Sequence, residues 1–161
     1  MRTKYLHIIC RSCILTILLC ACKPPKTFPI IPYIEFRSFT KIDNGTGKDD
    51  KGILAIYFTD GDGNIGSKEN EKDTSYNFFM NYFECQEGVW TETDFSTNFN
   101  FRLPIINTSD KEQALEGIIE LEIFFNNPRS AYDTIRFECW LFDRDSNESN
   151  HIFTPPIIVN K

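Results

Sequence analysis

The sequence is poor in the residues that most enzyme and metal sites need. Of its six cysteines, Cys10, Cys13, Cys20 and Cys22 stand at the start, so only Cys85 and Cys139 belong to the body of the chain. Of its two histidines, His7 and His151, only the second does. Past residue 22 there is no Cys-x-x-Cys, and nowhere a His-Glu-x-x-His or a Gly-x-Ser-x-Gly. Thiolate zinc sites, zinc peptidases of that motif and nucleophile-elbow hydrolases are thereby excluded. Gly45-Thr-Gly-Lys48 has a phosphate loop's lysine, but Asp49 follows it and the upstream glycine is missing, so it reads as a turn. Positive charge is short as well: 17 Lys+Arg against 23 Asp+Glu give a net charge of −6, which argues against a nucleic-acid partner. The 23 acids still leave one enzyme class open, a carboxylate pair working as general acid and base.

Long apolar runs are missing too. Arg2, Lys4 and Arg11 accompany a short apolar segment over residues 12–21, far below the roughly 20 residues of a spanning helix. That is the pattern of a secretory signal. Its end, Leu19-Cys-Ala-Cys22, resembles the lipobox of bacterial lipoproteins, where Leu, a variable residue and a small residue precede the cysteine that is acylated. The resemblance covers four residues, with Cys20 where Ala or Ser is more usual. It implies a signal peptide over residues 1–21 and a lipid on Cys22, hence a membrane-anchored protein of the bacterial cell envelope. Diacylglycerol plus an N-acyl chain is enough for stable anchoring.

A cut before Cys22 would leave 140 residues and, with three positive charges removed, a net charge of −9. That length suits one domain with one core. Residues 22–32 carry Pro24, Pro25, Pro29 and Pro32 and read as an extended tether. Residues 33–161 read as the domain. The start Lys23-Pro-Pro-Lys26 is not acidic; in lipoproteins resembling this one an acidic start favours surface export, so the resemblance implies a periplasm-facing outer-membrane site.

Within the domain the strongest period is two. Residues 33–39 and 53–59 predict strands, the second with Leu54, Ile56 and Phe58 on one face. Residues 76–86 predict a strand with Phe78, Met80 and Tyr82 inward and Phe79, Asn81, Phe83 and Cys85 outward. Shorter strands follow at 89–95 and 98–103. Ser109-Asp-Lys-Glu112 is a capping box and Gly117 a stop, predicting a two-turn helix over 110–116. Strands over 118–125 and 133–142 put Ile119, Leu121, Ile123 and Phe125, and Ile135, Phe137, Cys139 and Leu141, inward. A last strand over 152–159 is broken at Pro155-Pro156, which suits an edge. About seven short strands and one helix predict an all-β antiparallel β-sandwich. Parity also sets Cys85 and Cys139 on opposite faces, which predicts two free thiols rather than a disulfide.

Phe137-x-Cys-x-Leu-x-Asp143-x-x-Ser-Asn147-x-Ser149 resembles the last hairpin of bacterial immunoglobulin-like and fibronectin-III-like domains, with Ser146 where that family usually has Gly. The resemblance covers about thirteen residues and implies an immunoglobulin-like sandwich. The whole chain also resembles uncharacterised Gram-negative lipoproteins with a strand followed by Thr-Asp-Gly-Asp-Gly, which implies no known activity. In the immunoglobulin-like order the loops after residues 59 and 142 share one end of the sandwich. Both read Asp-x-Asp-x-Asn: Asp60, Asp62 and Asn64, then Asp143, Asp145 and Asn147. Such oxygens could hold Ca2+, or they could close their own turns. The first loop also matches an EF-hand at Asp60, Asp62, Asn64 and Glu71, but Ile65 replaces the required Gly, which argues against one.

Phe79, Phe83, Trp140 and Phe142 share the outward parity of neighbouring strands, predicting an aromatic face for a glycan or an envelope protein. The expected function is a non-catalytic, lipid-anchored binding or adhesion-type module. A calcium-stabilised structural spacer and an envelope hydrolase using a carboxylate pair are the alternatives.

Overall fold

The computed structural model describes residues 26–67, 75–94, 99–107 and 112–161. Eight strands form: β1 Tyr33–Lys41, β2 Lys51–Asp60, β3 Phe78–Gln86, β4 Val89–Glu92, β5 Leu115–Phe124, β6 Thr134–Leu141, β7 Ile152–Phe153 and β8 Ile157–Ile158. They make two antiparallel sheets, one ordered β1-β2-β5 and the other β4-β3-β6-β7, with β8 also paired to β6. The protein is a β-sandwich.

The inward residues are those the alternation selects. Leu54, Ile56 and Phe58 on β2 and Ile119, Leu121 and Ile123 on β5 face Phe78, Met80 and Tyr82 on β3 and Ile135, Phe137, Cys139 and Leu141 on β6, all buried in one core. Three phenylalanines, Phe78, Phe125 and Phe137, are wholly enclosed; truncating any one to alanine would cost about 3–5 kcal/mol. Cys85 is half-buried on the opposite face of β3 from Met80, which pairs with Cys139, and both thiols are free.

Two expected elements differ. Of the helix expected over 110–116, residues 112–114 have no regular structure and Leu115 and Glu116 begin β5; residues 110–111 lie outside those described. The capping-box pattern loses to the sheet: Asp60 pairs with Leu115 and Thr59 with Glu116, extending the ladder with β2 by two residues. No helix occurs among the described residues. Of the strand expected over 98–103, residue 98 lies outside those described, and residues 99–103 keep one bridge, in which Phe101 and Phe78 exchange backbone hydrogen bonds of 2.8 and 3.0 Å. The break at Pro155-Pro156 is present and separates β7 from β8.

β2 ends where β1 and β5 begin, and β6 ends where β3 begins. One pole of the sandwich therefore collects the loop after β2, the loop after β6, the approach to β5 and the incoming chain at residues 26–32.

Candidate functional site

At that pole the loop after β2 is pressed from two sides. A Cβ on Gly61 would lie 2.3 Å from the Phe28 carbonyl oxygen, so the incoming chain packs directly on the loop. Gly63 has φ +71°, and a Cβ there would lie 2.2 Å from the Gln113 carbonyl oxygen. Only glycine meets both demands at residue 63. The Gln113 N–H in turn donates to the Asp62 carbonyl (3.2 Å), and the Arg144 N–H to the Asn64 carbonyl (3.3 Å). This last bond joins the two acidic loops and, through them, the two sheets.

The side chains converge as well. Asp60, Asp62 and Asp143 each place a carboxylate oxygen within 4.8 Å of the others. Asp60 is wholly buried, and Asn64 and Asp143 are each 7 % exposed. Asp60 Oδ2 accepts the Ile65 N–H (3.2 Å), and Asn64 Nδ2 donates to Asp62 Oδ2 (3.1 Å) and Asp145 Oδ2 (3.0 Å). Three oxygens remain buried with no hydrogen-bond donor: Oδ1 of Asp60, of Asp62 and of Asn64. A buried acceptor left this way costs about 1–3 kcal/mol. Burial, followed by the hydrogen bond and negative charge of Asp62, pushes the Asp60 carboxyl up to about 6 against the lowering pull of the Ile65 and Asn64 backbone N–H groups.

The three ligand residues expected in the second loop are used differently from those of the first. Asp143 Oδ1 accepts the backbone N–H of Asp145 (2.9 Å) and of Asn147 (2.8 Å), and Oδ2 accepts Asn147 Nδ2 (2.8 Å). Asp143 thus closes its own turn while Oδ2, with a single donor, keeps a lone pair for another partner. Asn147 is used within that turn, and Asp145 is used in holding Asn64. Ser146 sits at φ +65°, the left-handed conformation that glycine would take without strain. The EF-hand reading is set aside: Ile65 is a fully buried core residue and β2, not a helix, precedes the loop. Glu71 lies outside the described residues.

On the outer face of the five-stranded sheet, Phe79, Phe83, Trp140 and Phe142 are half-buried. Phe79 stacks on Trp140 (5.5 Å, 15°) and His151 stacks on Trp140 as well (4.7 Å, 6°). Phe142 meets Phe79 edge-on at 5.7 Å. Beside them the Arg136 guanidinium lies over the rings of Phe153 (4.2 Å), Trp90 (4.5 Å) and Phe83 (5.4 Å). His151 bonds Glu138 and Glu148, each at 3.0 Å, and those bonds raise its pKa above the usual 6.5.

Parity reasoning placed Arg136 on this face, in alternation with Trp140 and cross-strand to Phe83, and missed three of its members, Trp90, His151 and Phe153. A wholly buried Glu84 was missed too; it accepts from Tyr82, Gln86 and Asn127. Its parity with Phe78, Met80 and Tyr82 was the available sign. Fold and site together define an all-β two-sheet sandwich with an oxygen-rich pole and an aromatic sheet face. No family model, curated protein or solved structure matches the chain.

Proposed function

We propose that this chain is a non-catalytic module of the bacterial cell envelope, lipid-anchored through Cys22, whose sandwich is of the immunoglobulin-like kind and whose aromatic sheet face docks another envelope protein. The fold reading is supported by strand order. β1, β2 and β5 take the places of strands A, B and E, while β3, β6 and the β7–β8 pair take those of C, F and G, with β4 as C′.

The docking reading rests on one observation: Arg136 held among three rings beside the stacked Phe79–Trp140–His151 row. Tryptophan, tyrosine and arginine in well-packed clusters carry most of the energy of protein interfaces. A glycan is the poorer occupant. Sugar stacking needs an open ring face, and Trp140 is already stacked with two rings, Phe79 and His151.

The anchor fixes an orientation. Cys22 lies six residues before Phe28, which packs on the acidic loop, and six residues span at most roughly 20 Å. The acidic pole therefore faces the membrane and the aromatic sheet face lies lateral to it.

The test uses the full chain in cells. Cys22→Ser should move it from the membrane to the soluble fraction; persistence of a fatty-acid label on that variant would contradict the anchor. In the anchored protein, a photo-crosslinking residue at Phe153 should give one discrete protein adduct, and the same residue at Ile118 on the other sheet none. Equal adducts at both, or none at Phe153, would contradict the docking face.

A further inference from the structure

We infer that the pole where the two acidic loops meet is a Ca2+ site, to which Asp60, Asp62 and Asp143 each give a carboxylate oxygen and Asn64 its carboxamide oxygen. The inference stands apart from the docking face and from the anchor.

Proximity of acids alone would not carry it, because exposed carboxylates often gather without an ion. Here the acids are not exposed. Asp60 is wholly buried and Asn64 is 7 % exposed, and the Oδ1 atom of each is enclosed with no donor. Asp62 Oδ1 is enclosed in the same way. A folded chain rarely keeps three such acceptors within one five-residue loop without something positive near them.

The dimensions fit a large cation. Ca2+ binds oxygen at 2.3–2.6 Å, so ligands on opposite sides of it stand roughly 5 Å apart. The three carboxylate oxygens lie within 4.8 Å of one another. The donor set is all oxygen and contains no imidazole or thiolate, which selects hard cations over zinc or copper. Among the described residues no positive side chain does the work instead. The Arg144 guanidinium is directed to the Gly66 carbonyl oxygen (3.3 Å), and among the described residues no Lys, Arg or His forms an ion pair with Asp60, Asp62, Asp143 or Asp145.

Asp145 and Asn147 serve from behind. Asp145 orients Asn64 through its Nδ2, so that Oδ1 is turned free, and Asn147 fixes Asp143. A cation at this point would tie the loop after β2 to the loop after β6 and so clamp the two sheets together.

The full chain would be titrated with CaCl2 by calorimetry at pH 7.5, with MgCl2 and an NaCl series of equal ionic strength as controls. Expected is a single Ca2+ site in the range of extracellular modules, roughly 0.1–1 mM. Millimolar Ca2+ should also raise the thermal midpoint by several degrees through mass action. Asp60→Asn and Asp62→Asn should each weaken binding about tenfold or more by removing ligand charge. Asp62 is only half-buried, so its variant keeps the test decisive should the Asp60 variant fold poorly. No heat at 10 mM CaCl2, or equal binding by wild type and Asp62→Asn, would overturn the inference.

Discussion

Replacing Asp60 by asparagine in the calcium-free protein at pH 7 should stabilise it. This outcome is unusual for a wholly buried polar residue, and the structure supplies the reason. The Asp60 carboxyl is raised from 3.8 to about 6 by burial and by Asp62, so the folded state holds its proton more tightly than the unfolded chain does. The sign follows from linkage: stability is greatest below about pH 4, falls as pH climbs toward about 6, and stays reduced above it. The full penalty at neutral pH corresponds to about 3 kcal/mol. Asparagine keeps an oxygen for the Ile65 N–H, now 3.2 Å from Asp60 Oδ2, and turns an amide toward Asp62 in place of a negative charge. A gain of about 1–3 kcal/mol, roughly 4–10 °C in thermal midpoint for a domain of this size, is the expected result. Urea unfolding of wild type and variant between pH 4 and 8 measures it, and the difference between the two should grow with pH through this interval. If Asp60 acts instead as a stabilising cap on its own turn, the variant will be less stable at pH 7 and the difference will shrink at low pH. That result would refute the reasoning.

Two further outcomes are expected. In the folded, non-reduced protein a thiol reagent should label Cys85 and spare Cys139, whose thiol is buried and raised in pKa, until denaturant is added; two thiols appearing only after reduction would mean a wrong register for β3. His151 is raised above 6.5 by Glu148 and Glu138, so its pair contributes fully below about 6.5 and is lost as pH rises through the folded value. Because the pair is largely exposed, the contribution should be below about 0.5 kcal/mol, and a His151→Gln variant should lose that upper-limb slope while keeping the Asp60-linked one.

Period-two alternation was enough to place the core of β2, β3, β5 and β6, because a strand with one buried face has its side chains sorted by parity. It also placed Phe79, Phe83, Trp140 and Phe142 on one outer face. What parity does not carry is competition between local and long-range bonding. Ser109-Asp-Lys-Glu112 is a sound helix start, yet Leu115 and Glu116 gain sheet partners in Asp60 and Thr59 that no local pattern announces.

The same limit applies at the pole. Asp-Gly-Asp-Gly-Asn marks a tight, oxygen-rich loop, and the meeting of the two loops was legible from strand order. The division of labour was not. That Asp143 is occupied by Asn147, that Asp145 holds Asn64, and that Gln113 and Phe28 close over the glycines depend on segments distant in sequence. Burial of Asp60 is the consequence that matters most, since it turns an ordinary turn-forming acid into one that calls for a cation.

Diffraction from crystals grown with CaCl2 or TbCl3 tests that central claim most directly. The account predicts one strong anomalous peak between the two loops, bonded at about 2.3–2.6 Å to oxygens of Asp60, Asp62, Asn64 and Asp143. Ions found only on exposed acids such as Glu116 and Glu122, with the Asp60 and Asn64 Oδ1 atoms still lacking a partner, would contradict it.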